Sequence, residues 1–242
     1  MDGNETTIAQ IRSHLAALAR WPGGRPVGSP ANRAADIYIT DALRAAGYEV
    51  EQQPFDCIDW RLDSVDLWVG DGPLPVMANP YSPPGDVTAS LAAVATLAEL
   101  EAAELRGRIA LLHGALSAEP LFPRNYPFFT VPEHQRILEL LERKGARAVI
   151  AVSPMSADPA PIIEDGDFTL PSVTVGGDVG AVLLMTERAP VTLRLHSVAQ
   201  PGRAANVIGR RAPPSRDKLV LSAHFDTKPG TPGALDNAAG VA

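Results

Sequence analysis

The sequence contains one cysteine, Cys57, among its 242 residues. A lone cysteine forms no internal disulfide and builds no cysteine-rich zinc site, so its expected place is that of a small buried hydrophobe. No stretch approaches the roughly 20 consecutive apolar residues that span a bilayer. The opening segment MDGNETTIAQIRSHLAALAR has no basic region followed by an apolar run and does not read as a signal peptide. No Lys/Arg stripe is present either. Acidic residues number 28 against 21 basic ones, a net charge of −7, which argues against nucleic acid as the main partner. These absences lead to the expectation of a cytoplasmic protein with no membrane and no nucleic-acid partner. What is present is a 45% apolar content with 20% charged residues, enough for a proper core and too ordered a composition for wholesale disorder.

Along the chain, Ile8, Ile11, Leu15 and Leu18 recur at helical spacing and predict a first helix with one apolar stripe. The Pro/Gly-rich stretch WPGGRPVGSPAN breaks it. A second helix carries Ala35, Ile39, Ala42 and Ala46 on one face, with Gly47 as its stop. YEVEQQPFDCIDW reads as a strand whose internal proline marks an edge or a bulge. Asp71–Asp86 is rich in Pro, Gly and Asp and reads as a boundary or a long loop. Beyond it, GRIALLH, RAVIAVS and LPSVTV read as strands, and PEHQRILELLERKGA and DVGAVLLMTE as helices, the alternation of a small α/β module. VTLRLHSV and AANVIGRR follow as two further strands, with APPSRD as a turn. KLVLSAHF is an almost continuous apolar run that fits a central strand buried on both faces. The resulting expectation is a discontinuous domain over residues 1–60 plus 190–242, with a second module inserted over residues 61–189.

The chemistry gathers in the last stretch, AHFDTKPGTPGALDNAAGVA. At the carboxyl end of the predicted strand, His224 and Asp226 share one side by alternation. One imidazole nitrogen can ligate a metal while a carboxylate two residues on receives the proton of the other nitrogen, which fixes the tautomer. Asp236 opens DNAAGVA, read as the first turn of a helix of small residues. Its carboxylate can reach back over the strand end and can bridge two metals about 3.5–4 Å apart. Blander readings stay open at this point. His224 and Asp226 alone fit a hydrogen-bonded structural pair, and Asp236 fits an ordinary helix N-cap.

The terminal stretch resembles the signature of the co-catalytic dizinc aminopeptidase and glutamate carboxypeptidase-like family, in which a strand ending His-x-Asp precedes a Pro/Gly loop and Asp-Asn. ANVIGRR ahead of it also matches. So does GGRPVGSPANRAADIYITDALRAAGYEVEQQPF, which resembles the family's Arg-Pro-Gly-Ser-x-x-Asn lead-in to a helix. LRGRIALLHG, ERKGARAVIAV and LPSVTV resemble, in order, the protease-associated insert of some members. The resemblance implies an α/β fold: a partial mixed-sheet phosphorylase/hydrolase-like zinc peptidase domain carrying an inserted protease-associated-like α/β module.

By the same resemblance His224 is a ligand of one zinc, Asp236 bridges both zincs, and Asp226 is the catalytic partner of His224. The family's Glu-Glu pair, further Asp and further His lie beyond the Asp-Asn helix, and no counterpart occurs before Ala242. The implied chain is therefore the N-terminal portion of a zinc-dependent exopeptidase, inactive by itself, with two zinc ions only in the complete parent. Peptide or acylated amino-acid substrates are implied, and a homo-oligomer would cover the apolar faces left exposed. A non-catalytic, receptor-like relative is the alternative. His14, His113, His134 and His196 are read as structural, Glu164–Asp167 as a solvated turn, and Tyr126, Phe128 and Phe129 as core or interface packing or part of a lid over the substrate cleft.

Overall fold

Helix signals at the N-terminal end act as the sequence predicts. In the computed structural model, α1 runs Gly3–Leu18 and α2 runs Pro30–Ala45. Residues 3–155, 159–186, 189–211 and 219–242 are described; the turn expected over Ala212–Asp217 lies outside them. Ser29 caps α2 by accepting the Asn32 N–H at 3.1 Å, with Pro30 in the first turn, where its missing donor costs nothing. His14 Nδ1 and the Tyr38 hydroxyl meet at 2.8 Å and join the two helices. The apolar stripe of α1 is only half used: Leu18 is buried, whereas Ile8 and Ile11 remain exposed.

By compactness the chain divides into Met1–Trp60 with Gln200–Ala242, and Arg61–Ala199. The strand β1, Glu49–Val69, leads from the first into the second. Arg61–Ala199 then builds β2 (Gly72–Leu74), β3 (Met77–Ala78), β4 (Gly85–Ala89), β5 (Leu91–Val94), α3 (Leu97–Ala102), β6 (Ile109–Leu112), α4 (Pro132–Arg143), β7 (Ala148–Val152), β8 (Ser172–Val175) and α5 (Gly177–Met185). The strand β9, Val191–Arg210, leads back.

Within Arg61–Ala199 the sheet order is β3-β8-β7-β6-β5, parallel from β5 to β8 with β3 antiparallel at the edge. Every residue of β6 and of β8 is buried; Ile109–Leu112 accordingly reads as an unbroken apolar run, whereas β8 buries Ser172 and Thr174 among its valines. Ile137, Leu138, Leu140 and Leu141 of α4 pack into the same core as Leu112, Val149 and Ala151.

Three sequence expectations change. The loop over Asp71–Asp86 carries β2, β3 and the first residues of β4, because short edge strands form between prolines that a ladder does not need to pair. The strand β5 and helix α3 were not legible in advance. Thr96 and Glu99 mark the start of α3, the Thr96 hydroxyl accepting the Glu99 N–H at 3.2 Å and the Glu99 carboxylate accepting the Ala95 N–H at 2.8 Å, a close variant of the capping box. VTLRLHSV and AANVIGRR are one strand, β9. At the junction Gln200 Nε2 donates to Asp59 Oδ2 at 3.0 Å, so Pro201 removes a donor without turning the chain.

Glu164–Asp167 is not a solvated turn. Asp165 is buried and pairs with Arg124 Nε at 3.0 Å, while Arg124 Nη1 holds Glu142 Oε2 at 2.8 Å. Arg124 also donates to the Asp167 carbonyl, and Asn125 to the Asp167 carboxylate. The loop between them carries a cluster of Phe122, Tyr126, Phe128 and Phe129, with centroids 4.8–5.5 Å apart in the contacting pairs. Phe128 is nonetheless 81% exposed. His134 stacks on Phe122 and accepts its N–H at 3.0 Å through Nδ1, a structural role as the sequence predicts. Cys57 is half-buried rather than buried, and its thiol is pushed up by burial and by Asp59 and Asp56.

Replacing Arg124 with Met strands the buried Asp165 carboxylate. The expected loss is about 3 kcal/mol of stability in urea unfolding followed at Arg61–Ala199; a loss indistinguishable from that of an exposed-site control counts against this role.

Candidate metal centre

The segment Leu219–Thr227 departs from expectation. It forms no strand among the described residues, and Leu219, Val220 and Leu221 are 88%, 82% and 87% exposed. A strand buried on both faces needs a hydrogen-bonded neighbour at each edge and a covered surface on each side. The described residues offer this segment neither. His224 and Asp226 therefore follow an unpaired run.

Order returns at Phe225, which joins Leu15, Trp21, Tyr38, Ile39 and Val241 around the buried Leu18, Ala35 and Ala238. From there to Gly233 the loop is held from within by Arg25. This side chain is fully buried, and its guanidinium donates to the carbonyls of Leu18, Phe225 (2.8 Å), Pro232 (2.7 Å) and Gly233 (3.4 Å). Burial pulls the guanidinium below its ordinary value, while attraction to Asp226 opposes that shift.

The three predicted residues come together. His224 Nε2 lies 2.9 Å from Asp236 Oδ1, and His224 Nδ1 lies 3.5 Å from Asp226 Oδ1. Nε2 therefore faces the Asp236 carboxylate, and Nδ1 faces Asp226, whose backbone carbonyl at 3.3 Å is nearer than its carboxylate. Asp236 is 86% exposed at its side chain. It does not sit in a regular helix: Asp236 and Asn237 have φ, ψ of −119°, 92° and −136°, 38°, with a cis peptide bond between them. The helical turn, α6, begins only at Ala239 and ends at Val241. The cap falls to Asn237, whose Oδ1 accepts the Gly240 N–H at 3.1 Å. Asp236 is thereby left facing the imidazole.

An imidazole nitrogen and a carboxylate oxygen converging on one point are donors of the type zinc takes. They are two, and a catalytic zinc takes three protein ligands. Asp226 faces the opposite ring nitrogen and does not join them. Among the described residues no group of three or more His, Cys, Asp or Glu side chains is arranged to hold a metal ion. The pair thus fits part of a zinc site and not a whole one. Arg25 and Thr227 were missed by sequence reasoning. The one trace of Arg25 was its place in GGRPVGSPAN, where the resemblance gave it no role.

Residues 206–242 match the profile of Peptidase family M28. Over a 256-residue alignment the chain is 25% identical to the probable lipoprotein aminopeptidase LpqL of Mycobacterium tuberculosis, covering 99% of this chain and 48% of that protein. Among solved structures it is similar to an aminopeptidase from Aneurinibacillus sp. strain AM-1, at 26% identity and a TM-score of 0.66, covering 96% of this chain and 55% of that one. A zinc aminopeptidase from Bacillus subtilis shares the fold, at 23% identity and a TM-score of 0.70, covering 96% of this chain and 54% of that one. The mixed α/β fold is that of the M28 aminopeptidases, and the chain spans about half the length of the relatives it matches.

The cytoplasmic expectation is corrected by the same comparison. LpqL, the relative, is a probable lipoprotein, which is not a cytoplasmic protein. No helix among the described residues is long and apolar enough to cross a membrane. Lipid anchoring needs no such helix, so the absence on which the expectation rested carries no information about compartment.

If Asn237 rather than Asp236 caps α6, Asn237→Ala costs about 1 kcal/mol locally and speeds amide exchange at Gly240. Asp236→Ala leaves that amide unchanged. The reverse pattern restores Asp236 as the cap.

Proposed function

We propose that this relative of the M28 aminopeptidases supplies the first ligands of a zinc exopeptidase of the aminopeptidase type. The observation that carries the reading is the convergence of His224 Nε2 on Asp236 Oδ1 at 2.9 Å, with Asp226 at the opposite ring nitrogen. In this reading Arg61–Ala199 is a protease-associated-like insert, and Met1–Trp60 with Gln200–Ala242 is part of the catalytic domain. The alternation of β5–β8 with α4 and α5 supports the first assignment, and the site on the second unit supports the other.

His224 Nδ1–H donates to the Asp226 carbonyl at 3.3 Å, with the Asp226 carboxylate 3.5 Å away, and this tautomer leaves the Nε2 lone pair free to ligate. Asp236 offers a carboxylate whose two oxygens suit two metal ions of a co-catalytic pair. Zinc held by His224 and Asp236 would supply a Lewis acid for the activation of water. Peptides or acylated amino acids are the substrate class. Among the described residues the ligands are too few and no general base is positioned, so the chain by itself is expected to cleave nothing.

Zinc titration with a leucine-anilide assay tests this, on the chain alone and on the full-length protein that contains it. The chain alone is expected to bind zinc weakly without turnover, and the full-length protein to bind zinc and hydrolyse the anilide. In the full-length protein His224→Ala and Asp236→Ala abolish turnover, and Asp226→Ala weakens zinc binding about 10- to 100-fold. Failure of the full-length protein to take up zinc sinks the proposal in favour of a non-catalytic, receptor-like role.

A further inference from the structure

We infer that Arg25 is the positioning residue of the His224–Asp236 pair: one buried guanidinium ties both arms of the intervening loop together and so sets the separation of imidazole and carboxylate. The hydrogen bonds divide between the arms. Nε takes the carbonyl of Phe225, the residue after His224. Nη1 and Nη2 take the carbonyls of Pro232 and Gly233, at the other arm, shortly before Asp236. Nη1 also anchors the assembly to the end of α1 through the Leu18 carbonyl. The guanidinium is planar, with its N–H donors in a fixed fork. The spacing of the bound carbonyls is therefore set by a rigid group rather than by a flexible loop.

The backbone around Arg25 is fitted to the same loop. Arg25 N–H donates to Thr227 Oγ1 at 2.6 Å, Thr227 N–H to the Arg25 carbonyl at 3.2 Å, and Gly230 N–H to the Gly23 carbonyl at 3.0 Å. Asn32 Nδ2 reaches the Arg25 carbonyl at 3.4 Å from inside α2. The approach is too close for side chains. A Cβ at Gly24 would stand 2.5–2.7 Å from Thr231 O, Thr227 Oγ1 and Lys228 O, and one at Gly233 would overlap the Thr227 methyl. Both glycines also have positive φ, +81° and +58°, where other residues are strained.

Burying a charge is costly unless it is hydrogen-bonded. An apolar side chain of similar length would fill the space at less cost. It would leave the carbonyls of Phe225, Pro232 and Gly233 unheld, and the neighbouring His224 and Asp236 free to separate. The inference concerns the geometry of the pair, and it rests on the peptidase reading only for the use to which that geometry is put.

The test compares wild type, Arg25→Met and Arg25→Lys by the ring-nitrogen NMR signals of His224 and by competition titration with zinc alone. In Arg25→Met the His224 signals move to those of a free imidazole, and the zinc Kd rises about tenfold or more. Signals from Arg61–Ala199 stay in place. Arg25→Lys restores part of both effects, since one ammonium cannot reach both arms. A residue needed only for folding would lower stability while the folded fraction kept its His224 signals and zinc affinity, and that result overturns the inference. If Arg25→Met does not fold, Thr227→Val removes the hydroxyl that accepts the Arg25 N–H and donates to the Thr231 carbonyl, and shifts the same signals less in the same direction. In wild type the Arg25 Nε–H must exchange slowly; free exchange overturns the inference whatever the variants do. If the full-length wild type takes up no zinc, the peptidase reading fails and the ring signals alone decide the role of Arg25.

Discussion

A single cation without solvent contact organises the C-terminal part of this molecule. The Arg25 guanidinium satisfies carbonyls that come from α1 and from both arms of the Phe225–Gly233 loop. Buried polar groups must be paired, and here the pairing is mutual: the carbonyls neutralise the cost of the charge, and the charge supplies donors to a loop with no secondary structure. Apolar burial could not do this work locally. The core around Phe225 has only Leu18, Ala35 and Ala238 as fully buried apolar members, whereas the sheet of Arg61–Ala199 is packed by a far larger set.

That contrast accounts for what the sequence disclosed. Runs such as Ile109–Leu112 and Ala148–Val152 were legible because each is a short apolar run, and the α/β alternation carries the signal. Helix α2 was legible from the face formed by Ala35, Ile39 and Ala42 and from Gly47 as its stop, each acting within a few residues. That His224, Asp226 and Asp236 lie close together was legible because their spacing is short. Leu219–Leu221 misled for the opposite reason. Hydrophobicity states what a segment would gain by burial, not whether a partner is there to bury it.

Arg25 was illegible on the same grounds. Its partners lie about 200 residues away in sequence, and no periodicity links one arginine to backbone carbonyls at that distance. The assignment of the cap to Asn237 was hidden similarly. Asp and Asn are near-equal caps, and only the backbone angles at Asp236 free its carboxylate to face the imidazole.

The two compact units differ in how their residues are strung. Arg61–Ala199 is one unbroken stretch, whereas its companion is assembled from two stretches that flank it. Closing a long flexible chain segment costs entropy that grows with its length. Once β1 and β9 occupy adjacent places in the order β2-β1-β9-β4, that segment is no longer flexible, and the distant flanks emerge side by side. The entropy of bringing Arg25 to a loop about 200 residues away in sequence is thereby reduced.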